Sequence, residues 1–222
     1  MSTQRLRVAE RIGGALRILQ DLPVPRGRTL SVGRTADVDL GADPPDRGVS
    51  RHAVVVATDG AGWQVEPRNR GAVLLYEWGL PPRELVRAET VYASRVALQV
   101  TGGPGREHWV LLEDAVPATE SDPAAVPGST DFAQPRALTP AQRAALEAVF
   151  ADFLEWPPRR DRSVRQLKVA AASLYVSATS LRERLTSVVE KANRLGLGQH
   201  EDVLDPAYLH LLVRRRYLEP PG

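Results

Sequence analysis

Two short segments of the sequence carry side chains whose types suit the binding of a phosphate dianion. Arg34 directly follows Gly33, and Ser50 lies in the next glycine-containing polar segment, Gly48-Val49-Ser50-Arg51-His52. An arginine guanidinium and a serine hydroxyl on neighbouring loops can share phosphate oxygens through charge-assisted hydrogen bonds. We therefore expect Arg34 and Ser50 to bind phosphate if the fold places their two loops side by side.

The residue types give little support to other kinds of chemistry. The sequence has no cysteine, which excludes disulfides, thiolate metal sites and cysteine nucleophiles. Its four histidines lack the spacing of metal ligands, and nucleophile-elbow, P-loop and kinase motifs are missing. Gly102-Gly103-Pro104-Gly105 has no following lysine and predicts a turn. We expect a protein without enzymatic activity, metal or cofactor.

The elements that must position Arg34 and Ser50 follow the two-residue period of β-strands. Apolar residues alternate in short runs bounded by Gly, Pro, Asp or Asn, namely Leu30 and Val32, Val38 and Leu40, Trp63 and Val65, and Val96, Leu98 and Val100. The segment Asp59-Gly60-Ala61-Gly62 predicts a hairpin turn. Many short strands joined by turns predict an all-β sandwich or barrel in this half of the chain.

A change in composition divides the chain. Residues 115–137 contain four prolines and few apolar side chains, so they predict a flexible linker. Beyond them the apolar period becomes 3.6, which predicts a small all-α domain. The expected organisation is a β-sandwich over 1–114, a linker over 115–137 and a helical domain over 138–222.

Capping signals predict where the helices of the second domain begin. Thr139-Pro140-Ala141-Gln142 has the residues of a capping box with proline at the first helical position. The second helix is expected to begin at Ser163, the third after Val176-Ser177 and the fourth at Asp205-Pro206. Gly196 and Gly198 are expected to end the third helix.

The order of motifs in the first domain carries a family resemblance. Val32-Gly33-Arg34, Gly48-Val49-Ser50-Arg51-His52-Ala53, the segment Gly62-Trp63-Gln64-Val65 and then Asn69 follow one another as in a forkhead-associated (FHA) domain, over roughly residues 15–113. The resemblance implies a sandwich that recognises a phosphothreonine-bearing protein. It implies that Arg34 and Ser50 contact the phosphate, that Asn69 holds the peptide backbone and that Arg51 is auxiliary.

Two positions depart from the family pattern. The family histidine lies three residues after the serine, where this sequence has Ala53, and His52 comes one position early. The family Asn-Gly is replaced by Asn69-Arg70-Gly71. The alternative interpretation is a sandwich that binds an unphosphorylated partner on the same surface.

The second domain resembles the helix-turn-helix of bacterial regulators related to sigma-factor region 4. The resemblance rests on the segment from Ala170 to Leu181, in which Ser177 caps the third helix and Tyr175 occupies the usual glycine position of the turn. It implies base contacts from Thr179, Arg182, Glu183 and Thr186, and phosphate contacts from Arg165, Lys168, Arg184 and Lys191. The alternative is a helical domain that docks to protein.

The expected partners are therefore a phosphothreonine-containing protein and duplex DNA or the transcription machinery. Thr119 and Thr130 lie in the predicted linker, so a phosphorylated linker is a second candidate ligand for the β domain. The net charge of +2 excludes a strongly polycationic protein. No segment resembles a signal peptide or a membrane span, so we expect no membrane partner and a cytoplasmic location.

Overall fold

The structure is a computed structural model that describes residues 4–12, 15–40, 45–59, 62–104, 106–114 and 137–220. The chain divides into two compact units at residues 120 and 121. The first is a β-sandwich and the second is helical, so the predicted fold class is confirmed. The predicted linker boundaries stay predictions, because residues 115–136, with Thr119 and Thr130, lie outside the described residues.

The first unit consists of two β-sheets, in which all strand pairs except β3 with β4 are antiparallel. Its described strands are β1 (Gln4–Ile12), β2 (Ala15–Val24), β3 (Thr29–Gly33), β4 (Val38–Asp39), β5 (Val54–Thr58), β6 (Trp63–Pro67), β7 (Val73–Glu77), β8 (Arg83–Glu84), β9 (Glu89–Val91), β10 (Arg95–Thr101) and β11 (Glu107–Asp114). One sheet has the order β2-β1-β11-β10-β7-β8 and the other β4-β3-β5-β6-β9.

Alternating apolar residues form the core, as the sequence pattern predicts. The buried cluster joins residues of both sheets, including Val32, Val56 and Trp63 from the five-stranded sheet and Leu98 and Val110 from the six-stranded sheet. The predicted hairpin is confirmed, since β5 and β6 pair antiparallel with Thr58 opposite Trp63.

The strand register places the loops that carry the predicted site at one end of the sandwich. Val32 in β3 lies opposite Val54 in β5, and Val54 lies opposite Pro67 in β6. The segments that leave or enter these strand ends are therefore neighbours: 34–37, 45–53 and 68–72. The N–H of Thr101 donates to the carbonyl of Ala72 at 3.2 Å, which brings the turn after β10 to the same end.

The second unit consists of short helices joined by tight turns. The described helices are α1 (Pro140–Val149), α2 (Ala151–Leu154), α3 (Leu167–Ser173), α4 (Ala178–Ala192) and α5 (Ala207–Arg214). A π-helical turn (Asn193–Leu197) continues α4, and the helical path ends at Gly198, with Gly196 and Gly198 both at positive φ. The capping box at Thr139 and Gln142 is present, and Ser177 caps α4. Residues of α4 spaced three and four apart are buried, namely Leu181, Leu185, Val188, Val189 and Ala192.

The predicted start of the second helix at Ser163 is wrong, because α3 begins at Leu167. The N–H and hydroxyl of Ser163 donate to the Asp152 carboxylate instead of capping a helix. The N–H of Arg165 donates to the carbonyl of Val149 at 2.9 Å. These bonds hold the preceding segment against α2 and the end of α1, so helical geometry begins four residues later than the capping signal suggests.

The turn between α3 and α4 contains a non-glycine residue in the left-handed region. Tyr175 has φ 55°, and its side chain is 97% exposed. Its N–H donates to the carbonyl of Ala172, and the N–H of Val176 donates to the carbonyl of Ala171. This is the hydrogen-bond pattern of a Schellman motif, which ordinarily has glycine at this position.

We expect Tyr175→Gly to stabilise α3 and α4 by about 0.5–1 kcal/mol, because glycine adopts positive φ without the Cβ penalty. Native-state hydrogen exchange of the α3 and α4 amides in the full chain measures this gain. Tyr175→Ala is the control, since it removes the exposed ring but keeps the Cβ, and it should give no gain. Equal protection in the glycine and alanine variants would contradict the backbone explanation.

Candidate functional site

Backbone hydrogen bonds hold the Arg34 and Ser50 loops side by side. The N–H of Arg34 donates to the carbonyl of Ser50 at 3.0 Å, and the N–H of Thr35 donates to the carbonyl of Arg51 at 3.3 Å. A Cβ on Gly33 would lie 2.2 Å from the carbonyl oxygen of Arg51, so only glycine permits this approach. The glycine of the Gly-Arg pair is therefore a geometric requirement for joining the two loops.

Ser50 is fixed by the loop that follows β6. Its N–H donates to Asn69 Oδ1 at 3.0 Å, and its hydroxyl oxygen accepts from the N–H of Arg70 at 2.9 Å. A serine hydroxyl has one proton to donate and two lone pairs. Because the bond from Arg70 uses only a lone pair, the hydroxyl proton is still available for an anionic acceptor.

Arg34, on the loop that is bonded to Ser50, has a side-chain donor without an acceptor among the described residues. Its side chain is half-buried, and its buried Nε finds no hydrogen-bond acceptor among the described residues. No described carboxylate lies within ion-pair distance of its guanidinium. A buried donor without an acceptor costs free energy, which a bound anion would recover.

Asn69 makes internal contacts at both ends of its side-chain amide. Its Oδ1 accepts from Ser50, and its Nδ2 donates to the carbonyl of Thr101 at 3.0 Å. The resemblance implies that this residue holds a peptide backbone, whereas in the structure it ties the Ser50 loop to the end of β10. Asn69 thus acts on Ser50 as a positioning residue. Arg51, the remaining predicted residue, is exposed.

A buried carboxylate anchors the other side of the Ser50 loop. Asp46 accepts from the N–H groups of Gly48 and Gly103, both at 2.8 Å, and lies 2.8 Å from His108 Nε2. Asp46 is 7% exposed and His108 is fully buried on β11. These contacts link the Ser50 loop, the turn after β10 and the six-stranded sheet.

The sequence analysis did not predict that Asp46 and His108 support the Ser50 loop, although the sequence contains one local signal for a turn at Asp46. An aspartate two residues before a glycine is typical of a turn in which the carboxylate accepts from the backbone. The residue at the family histidine position, Ala53, is fully buried, and His52 is exposed. Loop support therefore comes from Asn69 and from the contact of Asp46 with His108.

Two opposing effects set the acidity of Asp46. Burial raises the pKa of the carboxyl, but hydrogen bonds from His108, Gly103 and Gly48 outweigh it and leave the pKa below its ordinary value. Asp46 is therefore ionised at neutral pH, and as a carboxylate it accepts the hydrogen bonds that hold the loops together.

The predicted DNA-contact residues of the helical unit differ in their exposure and in their partners within the unit. Thr179, Arg182, Glu183 and Thr186 are exposed on α4. Lys168 is exposed on α3, and Arg184 is half-buried. Two of the predicted phosphate contacts have partners within the unit: Lys191 Nζ donates to the carbonyl of Ala137 and to Gln142 Oε1, and Arg165 lies 3.9 Å from the Asp152 carboxylate.

Metal binding and membrane spanning find no support among the described residues. These residues contain no group of three or more His, Cys, Asp or Glu residues arranged to hold a metal ion. Within the same part of the chain, every helix is too short or too polar to cross a lipid bilayer.

Comparison with known proteins gives matches to solved structures only. No protein-family model matches the sequence. No curated protein matches it either. The FHA domain of the CT664 protein from Chlamydia trachomatis is similar to the N-terminal half, with 22% identity, 52% of this chain and 100% of that chain covered, and a TM-score of 0.37.

Two further solved structures are similar over about half of the chain. The IAD domain of interferon regulatory factor 9 has 16% identity, with 50% of this chain and 82% of that chain covered and a TM-score of 0.38. A chain from the complex of STAT2 with interferon regulatory factor 9 has 13% identity, with 51% and 92% covered and a TM-score of 0.37.

We expect Asp46→Asn to lower the free energy of unfolding of the β unit by about 1–3 kcal/mol at pH 7, because it weakens charge-assisted hydrogen bonds at a buried site. The folded-state pKa of Asp46 is depressed, so its contribution is complete above the ordinary carboxyl pKa and is lost as pH falls through the folded-state value. The difference between wild type and variant should be present at pH 5 and shrink as the pH falls below about 4.

Urea unfolding followed by tryptophan fluorescence measures this difference. Glu84→Gln on the exposed strand β8 is the control and should be close to wild type. A difference that is the same at pH 3 and pH 7 would show that Asp46 does not support the loops as a carboxylate.

Proposed function

We propose that this protein is a non-catalytic signalling adaptor whose β unit binds a phosphothreonine-bearing protein segment. The observation that carries the proposal is the buried Nε of Arg34, a donor without an acceptor among the described residues, on a loop bonded to Ser50. A phosphate on this site would accept from the Arg34 guanidinium and from the Ser50 hydroxyl.

The charges at the loop end favour a dianion. A phosphorylated side chain carries about −1.5 to −2 at pH 7 and offers three acceptor oxygens. Arg34 and Arg51 supply two positive charges on the two loops that are bonded to each other at Ser50, and neither forms an ion pair within the described part of the chain. The preference for threonine over serine comes from the FHA resemblance of the sequence, not from these distances.

The backbone framework makes the site preorganised. Gly33, Asn69 and Asp46 each fix a loop before any ligand arrives, through close packing in the first case and hydrogen bonds in the other two. Less ordering entropy is then lost on binding.

Peptides around Thr119 and Thr130 belong among the candidate ligands, because a tethered segment has a high effective concentration.

The helical unit is the proposed output, through contact with DNA or the transcription machinery. Its exposed α4 residues Thr179, Arg182, Glu183 and Thr186 would face base edges, and Lys168 and Arg184 would face phosphates. Arg165 and Lys191 have partners inside the unit, so they contribute less to this field.

Protein docking is the second candidate for the helical unit, and a specific observation favours it. Tyr175 and Val169 are exposed apolar side chains at 97% and 57%. Glu183 and Glu190 on α4 also reduce the positive potential that a DNA backbone requires. In this reading the adaptor joins a phosphorylated protein to a second protein.

We expect Arg34→Ala to weaken binding of phosphothreonine peptides at least tenfold, because it removes charge-assisted hydrogen bonds to the phosphate. Screening a phosphothreonine peptide library and its unphosphorylated copy by fluorescence polarisation measures the loss. Arg68→Ala is the matched control, since Arg68 is exposed and paired with Glu66 at 2.9 Å. Equal binding of phosphorylated and plain peptides by wild type would refute the phosphate receptor.

Duplex DNA affinity at several salt concentrations distinguishes the two outputs. With Lys168 and Arg184 at phosphates and Arg182 at a base edge, the slope of log K against log salt should be about −2, at about −0.9 per phosphate contact. The triple substitution of these residues to glutamine should abolish retention. Absence of DNA retention at low salt would reject the DNA output and leave protein docking.

A further inference from the structure

Two fully buried polar side chains lie opposite each other beneath the loop end of the sandwich. Glu10 on β1 is the register partner of His108 on β11, and neither side chain is exposed to solvent. Directly opposed residues of an antiparallel pair lie on the same face, with their Cβ atoms about 4.5–5.5 Å apart. The pair two residues deeper, Val8 and Val110, belongs to the core between the sheets, so Glu10 and His108 also face the interior.

Only one polar atom of this pair has a hydrogen-bond partner among the described residues. His108 Nε2 lies 2.8 Å from Asp46 Oδ2, whereas His108 Nδ1 and both carboxylate oxygens of Glu10 are buried without a hydrogen-bond partner. Arg106 Nε is 3.8 Å from Glu10 Oε1, which is close enough for an ion pair but too long for a hydrogen bond. Within the same part of the chain, no hydrogen bond or ion pair joins Glu10 directly to His108.

The chemistry of these atoms explains why they do not satisfy each other. The Asp46 carboxylate only accepts hydrogen bonds, so the hydrogen of its bond with His108 is on Nε2. Nδ1 of the neutral ring is then an acceptor, and the carboxylate of an ionised Glu10 offers only acceptors as well. Two neighbouring acceptors need a donor with two hydrogens between them, and an internal water molecule ordinarily supplies these hydrogens to buried polar groups.

A metal cation suits this pair less well than water does. The Arg106 guanidinium already supplies a positive charge beside Glu10. Among the described residues, no three His, Cys, Asp or Glu side chains are arranged to hold a metal ion. Water also suits either charge state of the His108 ring, because its oxygen can accept from a protonated Nδ1 while it donates to Glu10.

We propose that one water molecule binds between Glu10 and His108 in the folded β unit, and that it donates to His108 Nδ1 and to a carboxylate oxygen of Glu10. This water orients the His108 ring toward Asp46, which accepts from two backbone N–H groups of the loops around Ser50. Glu10 is thus a positioning residue for the Ser50 loop and acts through His108 and Asp46. The water site is independent of the proposed function, whereas its effect on phosphate binding rests on that function.

A high-resolution crystal structure of the full chain tests the water site directly. We expect one water within about 2.7–3.2 Å of both His108 Nδ1 and a Glu10 oxygen. In solution, the same water should give a nuclear Overhauser effect to Hε1 of the His108 ring, because buried water exchanges more slowly than surface water. Direct contact between the two side chains without a water, or a metal ion at about 2.0–2.2 Å from both, would overturn the proposal.

Substitutions of Glu10 test its role as a positioning residue. Glu10→Met has no group that holds the water, so the Overhauser effect should vanish and the affinity for a phosphothreonine peptide should fall by about 3- to 10-fold. Glu10→Gln keeps an acceptor and adds donors, so its affinity should stay within about 2-fold of wild type. Gln4→Met is the matched control, since Gln4 is 4% exposed at the opposite end of β1, and it should keep both the water and the affinity.

A double-mutant cycle separates positioning from general structural damage. Because Glu10 acts through the Ser50 loop, Glu10→Met should weaken phosphopeptide binding by less than about 2-fold in a Ser50→Ala background. Circular dichroism shows that each variant is folded. A loss as large in that background as in wild type, or an equal loss in Glu10→Gln and Glu10→Met, would reject the positioning role.

The outcomes distinguish this inference from the proposed function. Phosphopeptide binding by wild type without a water between Glu10 and His108 would overturn the inference and leave the receptor intact. A bound water in wild type that binds no phosphopeptide would confirm the water site, and would overturn both the receptor and the role of Glu10 in positioning it.

Discussion

The candidate site depends on the close approach of two loops at Gly33. The carbonyls of Ser50 and Arg51 accept from the N–H groups of Arg34 and Thr35, and no side chain fits at Gly33 between these strands of backbone. Without this approach, the guanidinium and hydroxyl would sit on independent loops. Their shared use of one anion would then require ordering two segments at the moment of binding, at a cost in conformational entropy.

The electrostatics of the site follow from how its carboxylates are used. Asp37 and Asp46 are engaged in fixing the turns around them, with Asp46 reaching the fully buried His108. The hydrogen bonds that these carboxylates accept from Ser31, Gly48 and Gly103 orient the turns, and both carboxylates keep their negative charge. The residues that fix the loops therefore link the stability of the β unit to its proposed recognition of phosphate, because they hold Arg34 and Ser50 on adjacent loops.

The fold class and most elements were predictable from the sequence because both signals are local. Two-residue alternation predicts strands such as β5 and β6, and the capping box at Thr139 predicts the start of α1. The start of α3 was not predictable in the same way, because tertiary bonds from Ser163 and Arg165 override the local capping signal.

The site was predictable only in part. The family pattern indicates Arg34 and Ser50, but no local signal shows that the Asn69 side chain donates to the carbonyl of Thr101. His108 supports a loop far away in sequence, a contact that only the strand pairing creates.

The Arg34 Nε–H resonance in a ¹⁵N-detected NMR titration tests the central claim most directly, since it reports on the buried donor of the proposed phosphate site, which has no acceptor among the described residues. Addition of a phosphothreonine peptide should shift this resonance downfield and slow its exchange with water, and the unphosphorylated peptide should leave it in place. A resonance that stays unchanged when the phosphopeptide is saturating would contradict the account, because the phosphate would then be bound elsewhere or not at all.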